Sequence, residues 1–480
     1  MKRLLLILVA IIILVPLAIV AWLALFFDAN DYREQMADGF QKATGREINI
    51  AGELNTSFFP WIGIETGAIE VANAPGFGDA PLAAIKGSKI HLKLKPLFSG
   101  EIEMDTVILD GLQANLVTLA DGKTNWEFTA ARSSDSDEKT DEKTSSDEAG
   151  KALAALAIGG IEMKDASITW DDRKGGTKLD LTTMNLETGA ISFDTPIAVS
   201  FSTGFAVNGD EMKGTMKAST GVKLASDLQK VNLNKLNLDI DATGTALEGG
   251  QLKTGVKSDV DVDLAAQLVS SDKLTFVMDL AGDIAPVNPM KVAVNSPLKI
   301  NLASMVIDLP TMQYSIPGSE GNGSLNLSNL DKPMPTIKLK LETEKFDATP
   351  WMGKETTQTS LNTTQNRIQS EQLLLSIMTI RSVSAAEKST PVDIPVEMIR
   401  QLDVDASLDI ASFTMDTLQA SDVSAELKAK KGVIRIEPMS AKLFGGTSNG
   451  MIELDARADI PKFRLKEDLT GVQIAQVMKY

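Results

Sequence analysis

The sequence predicts a mainly β protein: an N-terminal transmembrane helix, then an extended, curled antiparallel β-sheet or groove with a few short helices. Three observations predict it. Leu4 to Phe27 runs without a charge. From Glu47 onward apolar residues recur every second position rather than every 3.6. Few segments have the helical periodicity needed to cover the wide apolar faces that such strands present.

The apolar run sets the first element, a signal anchor over 1–27. As a helix it would be roughly 36 Å long, enough for a hydrocarbon core of about 30 Å with some tilt. It is longer than a signal-peptide core, and Trp22 and Phe27 stand where a cleavage site needs small residues. Leu4, Pro16, Trp22 and Phe27 mark the anchor, with Pro16 at a kink. Lys2-Arg3 before it, and Asp28 and Asp31 after it, place the N-terminus in the cytoplasm and residues 28–480 outside.

A β domain led by a short helix follows over 28–130. Asp31-Tyr32-Arg33-Glu34 reads as a capping box, Tyr32, Met36 and Phe40 form one stripe, and Gly45 suits a left-handed terminus. The stripe is expected to pack on the next domain. Alternation then begins with Ile90, Leu92 and Leu94, and returns in Leu236-Leu238-Ile240, Val260-Val262-Leu264 and Ile337-Leu339-Leu341. Asn208-Gly209, Gly249-Gly250 and Gly321-Asn322-Gly323 punctuate these runs and favour antiparallel hairpins.

Two stretches break the pattern. Residues 131–150 are acidic and hold no large apolar side chain, which predicts a disordered linker or loop. Repeated strands occupy 151–355. Residues 356–392 are polar apart from Leu373 to Met378, and read as an inserted loop with a short helix. A final β region covers 393–480.

Composition removes many functions. With 47 basic against 64 acidic residues the net charge is −17, which repels nucleic acid. There is no cysteine, and His91 is the single histidine, so thiol catalysis and thiolate or multi-imidazole metal sites are excluded. His91 alternates with lysines on a polar strand face and has no nucleophile beside it in sequence. Asp259, Asp261 and Asp263 lack the glycine and glutamate of a calcium loop. No catalytic residue, cofactor or metal ligand is therefore assigned, and the chain is not read as an enzyme.

The order of several motifs resembles the AsmA family of bacterial envelope proteins. They are Ala43-Thr44-Gly45-Arg46, Phe58-Phe59-Pro60-Trp61, Asn73-Ala74-Pro75-Gly76-Phe77, Leu94-Lys95-Pro96-Leu97, Leu109-Asp110-Gly111 and Asp121-Gly122-Lys123-Thr124-Asn125-Trp126. Leu443-Phe444-Gly445-Gly446 and Leu469-Thr470-Gly471-Val472-Gln473 match less closely. The resemblance implies an inner-membrane anchor, a periplasmic body with an apolar β-groove, and roles in phospholipid movement to the outer membrane and in outer-membrane protein assembly. Family members continue beyond the last motif, so a truncated C-terminal β region is expected. Read physically, Pro60 and Pro75 set rigid corners, and Trp61, Phe77 and Trp126 plug the core beneath them.

If lipid is the cargo, the candidate lining is Ile90, Leu92, Leu94, Leu236, Leu238, Ile240, Val260, Val262, Leu264, Ile337, Leu339 and Leu341. Ordinary sandwich core is the competing reading of the same alternation. The expected partners are phospholipid acyl chains and the inner membrane. The alternative function is a non-enzymatic factor that assists or regulates outer-membrane protein assembly and targeting through protein contacts, for instance by β-augmentation.

Overall fold

The computed structural model describes residues 27–58, 61–97, 102–127, 156–332, 334–352, 396–458, 460–473 and 475. Leu4, Pro16, Trp22, Pro60 and the segments 131–150 and 356–392 lie outside them. Among the described residues no helix is long and apolar enough to cross a membrane. The chain is mainly β and divides into two compact units, Met1–Leu247 and Glu248–Tyr480.

Unit 1 opens with a 3-10 turn, Ala29–Tyr32, and helix α1, Arg33–Thr44. The cap differs from the expected box: Asp28, not Asp31, caps the entry by accepting from Asn30 N at 2.8 Å. Gly45 ends α1 at φ 72°, as a left-handed residue should. No residue of α1 is buried; of the expected stripe Tyr32 and Met36 are exposed and Phe40 is half-buried, so the stripe is not sealed against the following strands although α1 lies beside β1. Phe27 instead stacks on Tyr32 and meets Phe58 edge-on.

The strands of unit 1 are β1 Ile48–Ile50, β2 Leu54–Ser57, β3 Trp61–Thr66, β4 Ile69–Val71, β5 Ala83–Ile85, β6 Gly87–Lys93, β7 Ile102–Asp110 and β8 Gln113–Thr118. They continue as β9 Leu156–Asp172, β10 Thr177–Thr188, β11 Pro196–Val207, β12 Met212–Leu224 and β13 Lys230–Thr243. The long β9 organises the unit. Its first half pairs with β7 and its second with β8, while its other edge starts the antiparallel run β10 to β13. From β7 one branch runs through β6 and β3 to β2, and from β8 another runs through β5 and β4 to β1. Asp165, at φ 49°, and the buried Ala166 mark the fork.

Unit 2 contains β14 Gln251–Asp263, β15 Leu268–Ala281, β16 Met290–Asn301, β17 Val306–Ile316, β18 Ser319–Ser328 and β19 Thr336–Asp347. After helix α3, Val396–Arg400, come β20 Asp403–Met415, β21 Leu418–Lys430, β22 Val433–Leu443, β23 Gly446–Asp455 and β24 Lys462–Thr470. Each strand pairs with the next in sequence.

The antiparallel expectation needs correcting at three pairings, β7–β9, β8–β9 and β19–β20, which are parallel. A parallel pair cannot be closed by a tight turn; its connection must travel back along the strands. The two compositional breaks, 131–150 and 356–392, fall in those connections. Elsewhere the ladders are interrupted at bulges, and Pro297, Pro310 and Pro438 stand inside such gaps. Proline lacks an N–H for the ladder and is tolerated there.

Candidate functional site

Residues directly opposite one another on neighbouring strands share a face of the sheet. Following those partners across unit 2 yields one unbroken apolar row. Val262 opposes Val269, which opposes Ile300, then Ile307 and Leu327. The row continues through Ile337, Val404 and Ala429 to Ile434, Leu454 and Phe463. Two positions along each strand, on the same face, a second row joins Leu309, Leu325, Leu339 and Ala406 to Leu427, Ile436, Ile452 and Leu465.

Between them, on the opposite face, the intervening residues are polar or charged. Asp308, Asn326, Lys338, Asp405, Lys428, Arg435, Glu453 and Arg464 oppose one another in that order. Oppositely charged neighbours pair where they meet: Arg435 and Arg464 both hold Glu453.

Unit 1 carries shorter rows of the same kind. Leu109, Met163, Leu186, Phe201, Ala218 and Leu238 form one from β7 to β13. Ile62, Leu92, Met104 and Ile158 form another.

Burial separates an open apolar surface from a closed sandwich core. Sealed between two layers, these side chains would be almost wholly inaccessible. Of the two unit 2 rows only Ala429 and Ile452 are buried; Phe463 and Leu465 are exposed and the others half-buried. The compact core of unit 2 is a small cluster, Ala348, Ile410, Phe413 and Met415, with Met352 and Phe346 packed against it. A recess of 1520 Å³ in this unit takes much of its lining from the charged face, including Gln313, Asn322, Glu342 and Asp409. Its polar walls do not suit a hydrocarbon.

The candidate lining residues separate accordingly. Leu92, Leu238, Val262, Ile337 and Leu339 lie on the rows just traced; Ile240 opposes Met216, and Leu341 opposes Leu408. Leu236 and Val260 fall at breaks in the register, the first beside Lys235 at φ 53°. Ile90 opposes Ile64 but is exposed. Two placements are corrections. Leu94 leaves the strand alternation and starts the short helix α2, Leu94–Leu97. Leu264 lies one residue beyond β14, in an exposed turn.

Three of the quoted motifs, those that hold Arg46, Asn73 and Asn125, meet in space. Asn125 has no accessible surface. Its Oδ1 accepts from Val117 N at 2.8 Å, and its Nδ2 donates to Asn115 O at 2.7 Å and to Asn73 Oδ1 at 3.1 Å. Arg46 Nη2 donates to the Asn125 carbonyl at 2.9 Å. Trp126 beside it is exposed rather than a core plug: the interior place is taken by an amide that satisfies strand ends. Trp61 and Phe77 are half-buried, and Pro75 is exposed at its corner.

His91 is largely buried, with Nε2 3.3 Å from Glu65 Oε1, yet that nitrogen forms no hydrogen bond of good geometry. The Glu65 carboxyl is held below its ordinary range chiefly by the hydrogen bond from Lys89. Among the described residues no group of acids and histidine is arranged to hold a metal.

The model of the AsmA family matches residues 1–249 and 206–480, the whole length of the sequence. The chain belongs to the AsmA family. No curated protein and no solved structure matches it. For this AsmA-family chain the motifs around Asn125 act as a structural clasp, while the chemistry available to a partner is that of a long, one-sided apolar face.

Proposed function

We propose that this AsmA-family protein is a non-enzymatic carrier surface for phospholipid acyl chains, supporting phospholipid transfer towards the outer membrane. On this reading residues 1–27 anchor it in the inner membrane, and residues 28–480 stand in the periplasm. One observation carries the reading: the row from Val262 to Phe463 is apolar at every strand, yet only one of its residues is buried.

The magnitude explains why such a row is useful. Carrying a sixteen-carbon chain through water costs on the order of 12 kcal/mol, at about 0.8 kcal/mol per CH₂. A continuous apolar strip removes most of that cost and leaves the head group in water, so no specific head-group site is needed. The family supports the same direction.

Native mass spectrometry and acyl photocrosslinking on the full chain test this. Stoichiometric phospholipid, crosslinked at Ile337 and Leu339 but not at Lys338, is expected. A lipid-free protein, or crosslinks that do not discriminate the faces, would overturn it. A second reading, assistance to outer-membrane protein assembly, draws on β24, where Phe463, Leu465 and Leu469 are exposed; recovery of a stable protein partner on that strand without lipid would favour it.

A further inference from the structure

The strands of unit 2 end on two rims, and the rims are chemically unlike. The turns β14–β15, β16–β17 and β18–β19 lie on the first rim, together with the start of β20, because Thr336 opposes Asp403. The turns β15–β16, β17–β18, β20–β21 and β22–β23 lie on the second. Leu264 is 52% exposed, Leu302 48%, Met305 38% and Leu330 37%, and all four are on the first rim. Among the described residues the second rim's turns contribute no exposed large apolar side chain.

These three first-rim turns, β14–β15, β16–β17 and β18–β19, share a construction. Asp263, Asn301 and Asn329 each stand immediately before the exposed leucine. Asp263 Oδ1 accepts from Ala266 N at 2.8 Å, and Asn301 Oδ1 accepts from Ser304 N at 2.8 Å. The third turn is closed through Asn329 O, which accepts from Lys332 N at 3.0 Å. An Asx side chain explains the reversal of the chain. It does not explain the leucine, which gains little from folding where it remains in water. Unit 1 repeats the pair in its own β12–β13 turn, where Asp227 Oδ1 accepts from Gln229 N and Leu228 is exposed.

The rim is continuous with the apolar face. Leu264 stands in the turn two residues after Val262, and Leu302 in the turn two residues after Ile300, so each sits at the strand end next to a member of the first apolar row. Successive first-rim turns are two strands apart, about 10 Å, which makes a hydrophobic lip rather than isolated side chains.

We propose that this lip is a lateral entrance, over which alkyl chains of a lipid pass sideways onto the apolar rows. This rests on the carrier reading and specifies where cargo enters. The test uses the full chain and vesicles of phosphatidylethanolamine and phosphatidylglycerol carrying a fluorescent phospholipid. The triple variant L264N/L302N/L330N is expected to slow lipid exchange by about tenfold, from three lost apolar contacts, with equilibrium occupancy close to wild type. A photoreactive residue at 264, 302 or 330 is expected to capture lipid during exchange, and one at 283 or 416 on the second rim is not. Wild-type exchange in the variant, or equal capture from both rims, would overturn the entrance while leaving the carrier reading intact. Loss of equilibrium occupancy in the variant overturns it too, by moving these leucines into the holding surface. A wild-type protein that holds no lipid at equilibrium defeats both.

Discussion

Val262, on the first strand of unit 2, and Phe463, on its last, are the two ends of one cross-strand row in which every member is apolar. Its half-burial has an energetic consequence. Truncating a sealed core isoleucine to alanine costs about 2–5 kcal/mol, through lost transfer energy and a cavity. A half-buried position already touches water and leaves little cavity. Ile337→Ala is therefore expected to cost only about 1–2 kcal/mol in urea unfolding, with a larger proportional loss of acyl crosslinking. Destabilisation at the sealed-core level would show that this face is covered.

Asn125 predicts the opposite pattern in unit 1. Asn125→Ala would leave the N–H of buried Val117 and the carbonyl of Asn115 without their partner. The expected cost is about 2–4 kcal/mol, since each orphaned buried group costs about 1–3 kcal/mol. Trp126→Ala, at an exposed position, should cost less than about 1 kcal/mol. Equilibrium denaturation of the two variants checks the order, and the reverse order would restore the tryptophan as the plug.

The strand character of this chain was legible because a period of two survives wherever one face is apolar. Ile337-Lys338-Leu339-Lys340-Leu341 reads from sequence as it sits in β19. Which strands neighbour one another was less legible: period two cannot distinguish parallel from antiparallel partners, and the fork at β9 depends on pairings far apart in sequence. Leu94 was misplaced because Leu94-Lys95-Pro96-Leu97 keeps the alternation for two more residues, whereas Pro96 has no N–H to offer a ladder. Leu264 was misplaced for a related reason, since alternation continues past Asp263 although the chain has already turned. Asn125 carries no periodic signal at all; its role comes from three hydrogen bonds that only the folded chain assembles.

Gly63 faces His91 across β3 and β6. A Cβ added at Gly63 would stand 2.1 Å from His91 Cδ2 and 2.6 Å from the Ile90 carbonyl oxygen. Gly63→Ala must therefore displace the imidazole from its place beside Glu65. Because His91 is the single histidine, its ring resonances are unambiguous in proton–nitrogen NMR. A clear shift of those resonances in the variant is expected, together with lower stability. Unchanged resonances would mean that the strands separate instead of the ring moving.

Glu453 supplies the pH prediction. Arg435 Nη2 lies 2.5 Å from its Oε2 and Arg464 Nη1 2.7 Å from its Oε1, so each carboxylate oxygen has its own guanidinium. The Arg435 hydrogen bond first, then the Arg464 and Arg435 charges, outweigh desolvation and hold the carboxyl below its ordinary value of 4.5. A folded-state value below the unfolded one means that the unfolded chain binds the proton more readily. The stabilisation is thus fully present above the unfolded value and is lost as pH falls through the folded one. Glu453→Gln removes the charge at every pH. It should lower stability at neutral pH and converge with wild type in acid, and the urea midpoint against pH measures both. A constant difference between the two proteins down to strongly acidic pH would show that the two arginines do not bias this carboxyl.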